Sequence, residues 1–205
     1  MLSRYGIGGQ FGGSYGVYDL QGRNTATQRS SAQEQIFLTS GLFRRADARM
    51  PFNLGVAYDM MINDNFGVNA DEPYLSQWRG LIGYCLSARN EIGWWGAFHD
   101  RRDAQAGRVY RTISQNNMYW HHNFLSGADS WLWVGIPERN RLNGDGSLYE
   151  WNLGGLINVP LTQRAGVYGN FAYFCPSAPS GTFAAVAQTA WQLGLGLNYF
   201  FGASS

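Results

Sequence analysis

The run Ala187-Gln-Thr-Ala-Trp-Gln-Leu-Gly-Leu-Gly-Leu-Asn-Tyr-Phe-Phe201 splits, taken every second residue, into two unlike faces. One face is Thr189, Trp191, Leu193, Leu195, Leu197, Tyr199 and Phe201; the other is Gln188, Ala190, Gln192, Gly194, Gly196 and Asn198. A period of two is the signature of a β-strand whose sides meet different surroundings. Aromatics sit near both ends of the apolar side with leucines between them, the order expected where a strand crosses hydrocarbon between two interfacial girdles. The opposite side is small and polar and carries no charge. The run reads as the closing strand of a transmembrane β-barrel.

Composition agrees. The chain has 205 residues, a length that suits one domain spanning 1–205. Only 14% of residues are charged, against roughly 25% in ordinary soluble domains. Formal net charge is +1 and lysine is absent, so the basic stripe of a nucleic-acid binder is missing. No stretch of about 18 apolar residues exists, which excludes a transmembrane helix. A barrel needs none, because alternation dilutes its hydrophobicity. Cys85 and Cys175 fall on strands well separated in the chain and are expected to be unpaired small packing residues. Met1-Leu-Ser-Arg runs almost directly into a strand, so the chain reads as a mature segment whose export signal has been removed.

The same alternation recurs along the chain. Expected strands cover Arg4–Tyr18, Gln33–Phe43, Phe52–Asn63, Tyr74–Ala88, Glu91–His99, Met118–Leu125, Ser130–Ile136, Leu148–Val159, Arg164–Cys175 and Ala187–Phe201. The third is among the cleanest: Phe52, Leu54, Val56, Tyr58, Met60 and Ile62 alternate with Asn53, Gly55, Ala57, Asp59, Met61 and Asn63. The sixth is the least regular, since His121 and His122 break any clean face. Connections alternate long and short, and most charges gather in them. Asn143-Gly-Asp-Gly146 reads as a turn; it lacks the downstream glutamate of a calcium loop. About ten strands, with tight turns on one side and long loops on the other, predict an all-β, closed, antiparallel up-and-down transmembrane β-barrel. A soluble sandwich or lipocalin-like barrel also alternates, but its water-facing side would carry lysine and glutamate. Here the polar sides are mostly Gly, Asn, Gln, Ser and Ala.

Parity then assigns lumen-facing candidates: Asp59, Gln77, Arg79, Glu91, His99, His121, Glu150, Asn152 and Gln192. Asp59 and Arg79 lie on adjacent strands at similar height. They suit a structural ion pair, or else a charged constriction. Glu91 and Glu150 are expected near the rims. His121 and His122 point to opposite faces and cannot chelate together, whereas His99 and His121 could share the lumen. His99 with Asp100 and Asp103 near one mouth suggests hydrolase chemistry as an alternative, but no Ser/His/Asp triad can be assembled from the sequence. Inward rings such as Phe37, Trp95, Tyr168 and Phe174 among many glycines would fill a narrow lumen. No metal or cofactor is expected.

The Gly13-Ser-Tyr-Gly-Val-Tyr-Asp19 run with Gly22-Arg23, Gln77-Trp-Arg-Gly80, Gly83-Tyr84 and Asn90-Glu-Ile-Gly-Trp-Trp-Gly96 together resemble an uncharacterised barrel family associated with planctomycete bacteria. More broadly, nearly the whole chain is similar to small bacterial outer-membrane barrels. The resemblance implies residence in a bacterial outer membrane and brings no activity with it. The expected function is a scaffold, anchor or narrow pore, with the lipid bilayer as partner and long loops free for protein or surface partners. A soluble β-barrel ligand binder is a further alternative, and no nucleic-acid partner is expected.

Overall fold

The computed structural model describes residues 6–18, 32–66, 70–137, 149–176 and 190–199. Their regular secondary structure is β throughout, in twelve strands. They are β1 (Ile7–Tyr18), β2 (Gln33–Arg44), β3 (Phe52–Asp64), β4 (Tyr74–Cys85), β5 (Asn90–His99), β6 (Asp103–Gln105), β7 (Arg108–Tyr110), β8 (Gln115–Asn123), β9 (Asp129–Pro137), β10 (Tyr149–Pro160), β11 (Ala165–Pro176) and β12 (Ala190–Tyr199). Ten of them form one sheet in the order β1-β2-β3-β4-β5-β8-β9-β10-β11-β12, while β6 and β7 pair as a separate hairpin. The ladders between β1, β2 and β3, and those from β8 through β12, are antiparallel. By compactness the chain falls into two units. One comprises Met1–Arg45, Leu54–Leu81 and Ala97–Ser114; the other comprises Ala46–Asn53, Ile82–Gly96 and Gln115–Ser205.

Each expected strand has a counterpart, with informative shifts. β4 ends at Cys85 rather than Ala88, because the N–H groups of Leu86 and Ser87 both turn back to the Asn90 carbonyl. β8 begins at Gln115, three residues early, where Gln115, Asn116 and Asn117 pair with Pro137, Ile136 and Gly135. The β6–β7 hairpin lies inside a stretch that reads as loop. Its two-residue turn, Ala106-Gly107, has φ of 47° and 81°, the doubly left-handed geometry that suits a tight hairpin. Arg4–Tyr5, the Asn143–Gly146 turn, Gly22-Arg23 and the outer residues of the 187–201 run lie outside the described residues.

Burial along these strands runs opposite to that of a water-soluble sheet. Leu197 is 80% exposed and Val134 53%; Val56, Ile82 and Leu153 are exposed as well. The buried positions include Asp59, Asn63, Ser76, Glu91, Asn117 and Asn152, while the buried apolar set is mainly alanine with Leu75 and Tyr119. Cross-strand register explains how the less exposed side is filled. Phe43 is paired with Gly8, Trp133 with Gly154 and Tyr168 with Gly196. In each pair a Cβ on the glycine would collide with the facing ring, so the missing side chain is what lets the ring lie flat on the neighbouring strand.

Candidate functional site

Two polar clusters occupy the buried side, one in each unit. In the first, Thr39 stands opposite Asp59 across the β2–β3 ladder and donates to its Oδ1 at 2.7 Å. Arg79 donates to the same oxygen through Nη2 at 2.8 Å, and its Nε lies 2.5 Å from Oδ2. Gln77 Nε2 completes the shell at 3.0 Å. Asp59 is 2% exposed. A carboxylate buried this deeply persists as a charge only when paired and hydrogen-bonded, and here both oxygens are supplied. The arrangement therefore holds structure and offers no free acid.

The second cluster centres on Glu91, 7% exposed on β5. Asn53 donates to Oε2 at 2.7 Å and Tyr119 OH donates to Oε1. The Asn53 amide also approaches Cys85 Sγ at 3.6 Å. His121 Nδ1 is 3.6 Å from Glu91 Oε2, and His121 Nε2 is 3.8 Å from Asp129 Oδ2. Asp129 in turn accepts from Asn158, its partner across the β9–β10 ladder. Register sets His121 directly opposite Trp131, and the rings stack at 4.4 Å; Tyr119 stacks on the same indole at 4.7 Å. An imidazole is thus held between two carboxylates with an aromatic floor. His122 points the other way, toward Asn90 Oδ1 at 2.9 Å.

Gly83 makes room for this cluster. A Cβ there would overlap both the Glu91 carboxylate and the Tyr119 hydroxyl. Gly83→Ala is expected to lower stability by about 1–3 kcal/mol, the usual cost of overpacking a filled interior. A urea midpoint unchanged from the parent protein would contradict this reading of the site.

A third cluster locks the β6–β7 hairpin to the connection after β3. Arg108 forks onto Asp71, with Nε–Oδ2 and Nη2–Oδ1 both 2.8 Å, and Tyr110 OH adds a bond to Oδ2. Gln105 satisfies both backbone groups of Glu72, accepting from its N–H at 2.8 Å and donating to its carbonyl at 2.7 Å. Asp103 accepts from the Tyr74 N–H at 2.8 Å. The Arg108 guanidinium, and then the Tyr110 hydroxyl, hold the Asp71 carboxyl below its ordinary 3.8. The same contacts raise Arg108 and Tyr110 above their usual ranges. A carboxyl depressed on folding stabilises the docked state fully above its unfolded value and loses that contribution as pH falls through the native one. Hairpin docking should therefore be constant from pH 7 down to the ordinary carboxyl range and weaken only below it. Hydrogen-exchange protection of Arg108–Tyr110, corrected for intrinsic rates, measures this. Asp71→Asn should show low protection at every pH.

The remaining candidates are dispersed. His99 Nδ1 meets Ser114 Oγ at 2.9 Å, and the same oxygen accepts the His99 backbone N–H at 3.0 Å. Asp100 engages Tyr58 at 2.7 Å and Ser76 at 3.2 Å, and Asp103 is committed to Tyr74 and Gln105. These bonds of Asp100 and Asp103 thus go to Tyr58, Ser76, Tyr74 and Gln105 and assemble no triad with Ser114 and His99. Asn152 is buried and donates to Gln115 at 2.9 Å. Glu150 and Gln192 are exposed. Both cysteines are free thiols. Among the described residues no group of three His, Cys, Asp or Glu is placed to hold a metal. Sequence reading missed Asn53, Tyr119, Trp131 and Asp129 as members of the Glu91 cluster. Their parity was visible, but the stagger between strands was not.

A family model described as a family of unknown function, DUF6666, matches residues 1–205. The chain belongs to the DUF6666 family. No curated protein and no solved structure matches this DUF6666 chain.

Proposed function

We propose that the chain is a small β-barrel of the bacterial outer membrane, closed by β1 on β12, that acts as a scaffold or anchor. Its longer connections face outward for protein or surface partners. The inverted burial carries this reading: aliphatic and aromatic side chains are exposed along the strands, while Asp59, Glu91, Asn117 and Asn152 are buried. Hydrocarbon is the solvent that favours such an arrangement, and a barrel satisfies every backbone amide within it. Within each polar cluster the side chains bond to one another, which supports a filled interior. Refolding should require detergent or lipid and should give a species whose gel migration changes on heating. A monodisperse, stable protein without detergent would overturn the reading in favour of a soluble ligand binder.

A narrow pore is the second reading, and Asn117 favours it. Its carboxamide is buried, and neither its oxygen nor its nitrogen has a hydrogen-bonding partner among the described residues. Buried amides are normally satisfied by protein or water, so an interior reached by water accounts for it. Planar-bilayer recordings separate the two. Reproducible small unitary currents support the pore, and silence supports the scaffold.

A further inference from the structure

Three short turns are built to one plan. Asp47 Oδ1 accepts the N–H groups of Arg49 and Met50 at 2.8 and 2.9 Å. Ser87 Oγ accepts those of Arg89 and Asn90 at 3.2 and 3.1 Å. Thr162 Oγ1 accepts those of Arg164 and Ala165 at 3.1 and 2.9 Å. In each, a side-chain oxygen closes the turn and an exposed arginine follows two residues later. Two of them read Leu86-Ser-Ala-Arg89 and Leu161-Thr-Gln-Arg164, with the leading leucine exposed. The β8–β9 turn, Leu125-Ser-Gly-Ala128, keeps the leucine and the cap but has alanine in the arginine position.

All these turns belong to the second unit; backbone contacts join the first two to the start of the β8–β9 turn, and the pairing of Asp129 with Asn158 sets that turn beside the strand end that leads into the Thr162 turn. Cys85 N–H donates to Pro51 O, and Asn123 N–H donates to Arg89 O, both at 2.9 Å. Among the described residues no carboxylate pairs with Arg49, Arg89 or Arg164. The nearby acids are committed: Asp47 caps its own turn, and Asp129 faces His121 and Asn158. Among the described residues the guanidinium groups thus have no carboxylate partner, and each follows a turn closed by a side-chain oxygen. A guanidinium matches the oxygens of a phosphate diester in a planar, two-pronged fashion. An exposed leucine three residues before it suits the acyl region immediately below a headgroup.

We propose that these turns form a rim that binds anionic phospholipid, with leucines in the acyl layer and Arg49, Arg89 and Arg164 on headgroup phosphates. The proposal rests on the membrane reading above. Its test uses the full chain folded into phosphatidylcholine vesicles doped with phosphatidylglycerol, each lipid in turn carrying brominated chains that quench tryptophan. Quenching by brominated phosphatidylcholine alone reports insertion. The ratio of the two reports headgroup preference. The parent protein should prefer the anionic lipid several-fold at low salt, and the preference should shrink as salt screens it.

The triple variant Arg49→Gln, Arg89→Gln, Arg164→Gln should insert equally well and fall to parity. Arg102→Gln, an exposed arginine of a longer connection, should keep the preference. No preference in the parent, an undiminished one in the triple variant, or equal loss in Arg102→Gln would overturn the proposal. So would retention on peptidoglycan without lipid selectivity, which assigns the rim to a glycan. Absence of quenching by either lipid is a different failure: it removes the membrane reading itself.

Discussion

Val134→Arg is expected to destabilise the folded protein in a bilayer by about 2–4 kcal/mol, as a cation on a lipid-facing strand does near mid-depth. Val134 lies centrally on β9, flanked by Met118 on β8 and Leu153 on β10, and all three are exposed. In water the same substitution would be a surface change worth no more than about 0.5 kcal/mol. The two solvents thus predict results that differ several-fold in magnitude, without reference to any activity. Urea unfolding from vesicles, with Val134→Leu as the volume control, makes the measurement. A near-neutral Val134→Arg would remove hydrocarbon from the account and take the anionic-lipid rim with it.

The second large effect is expected at Arg79. Arg79→Met leaves Asp59 buried with only Thr39 and Gln77 as donors, and a carboxylate deprived of its cation in such a place costs about 3 kcal/mol or more. The double variant Asp59→Leu, Arg79→Met removes the stranded charge along with its partner and should recover most of the loss. Unfolding midpoints of the two single variants and the double complete the cycle. A double variant as unstable as the sum of the singles would mean that the pair holds something beyond its own charges, and a gating role would then gain ground.

The strands were largely legible because each satisfies a single condition, alternation, that can be checked residue by residue. Asp59 and Arg79 could be set on one face from parity alone, and they meet in an ion pair. The stagger between neighbouring strands could not be read the same way. Asn53 reaches Glu91 and Cys85, and His121 stacks on Trp131, only because particular registers bring them level. The β6–β7 hairpin is not legible in the sequence because three-residue strands are too short to show a period, and only the folded chain pairs its Arg108 with Asp71. Gln115–Asn117 does not read as strand, because asparagine is a poor strand former. In β8 it is retained by Gly135, which leaves space for the Asn117 side chain.

The Ser87-capped turn has a consequence for what evolution can edit. It ends at Asn90, so the count of residues from the cap decides that Glu91 points inward and Ile92 outward. One added or deleted residue there inverts the phase of β5: an isoleucine would be thrust among Tyr119 and Asn53, and a carboxylate would be delivered to the greasy side. Point substitutions at Ala88 or Arg89 leave that phase untouched. Length at this corner should therefore be held more strictly than identity, the reverse of the ordinary pattern for surface loops.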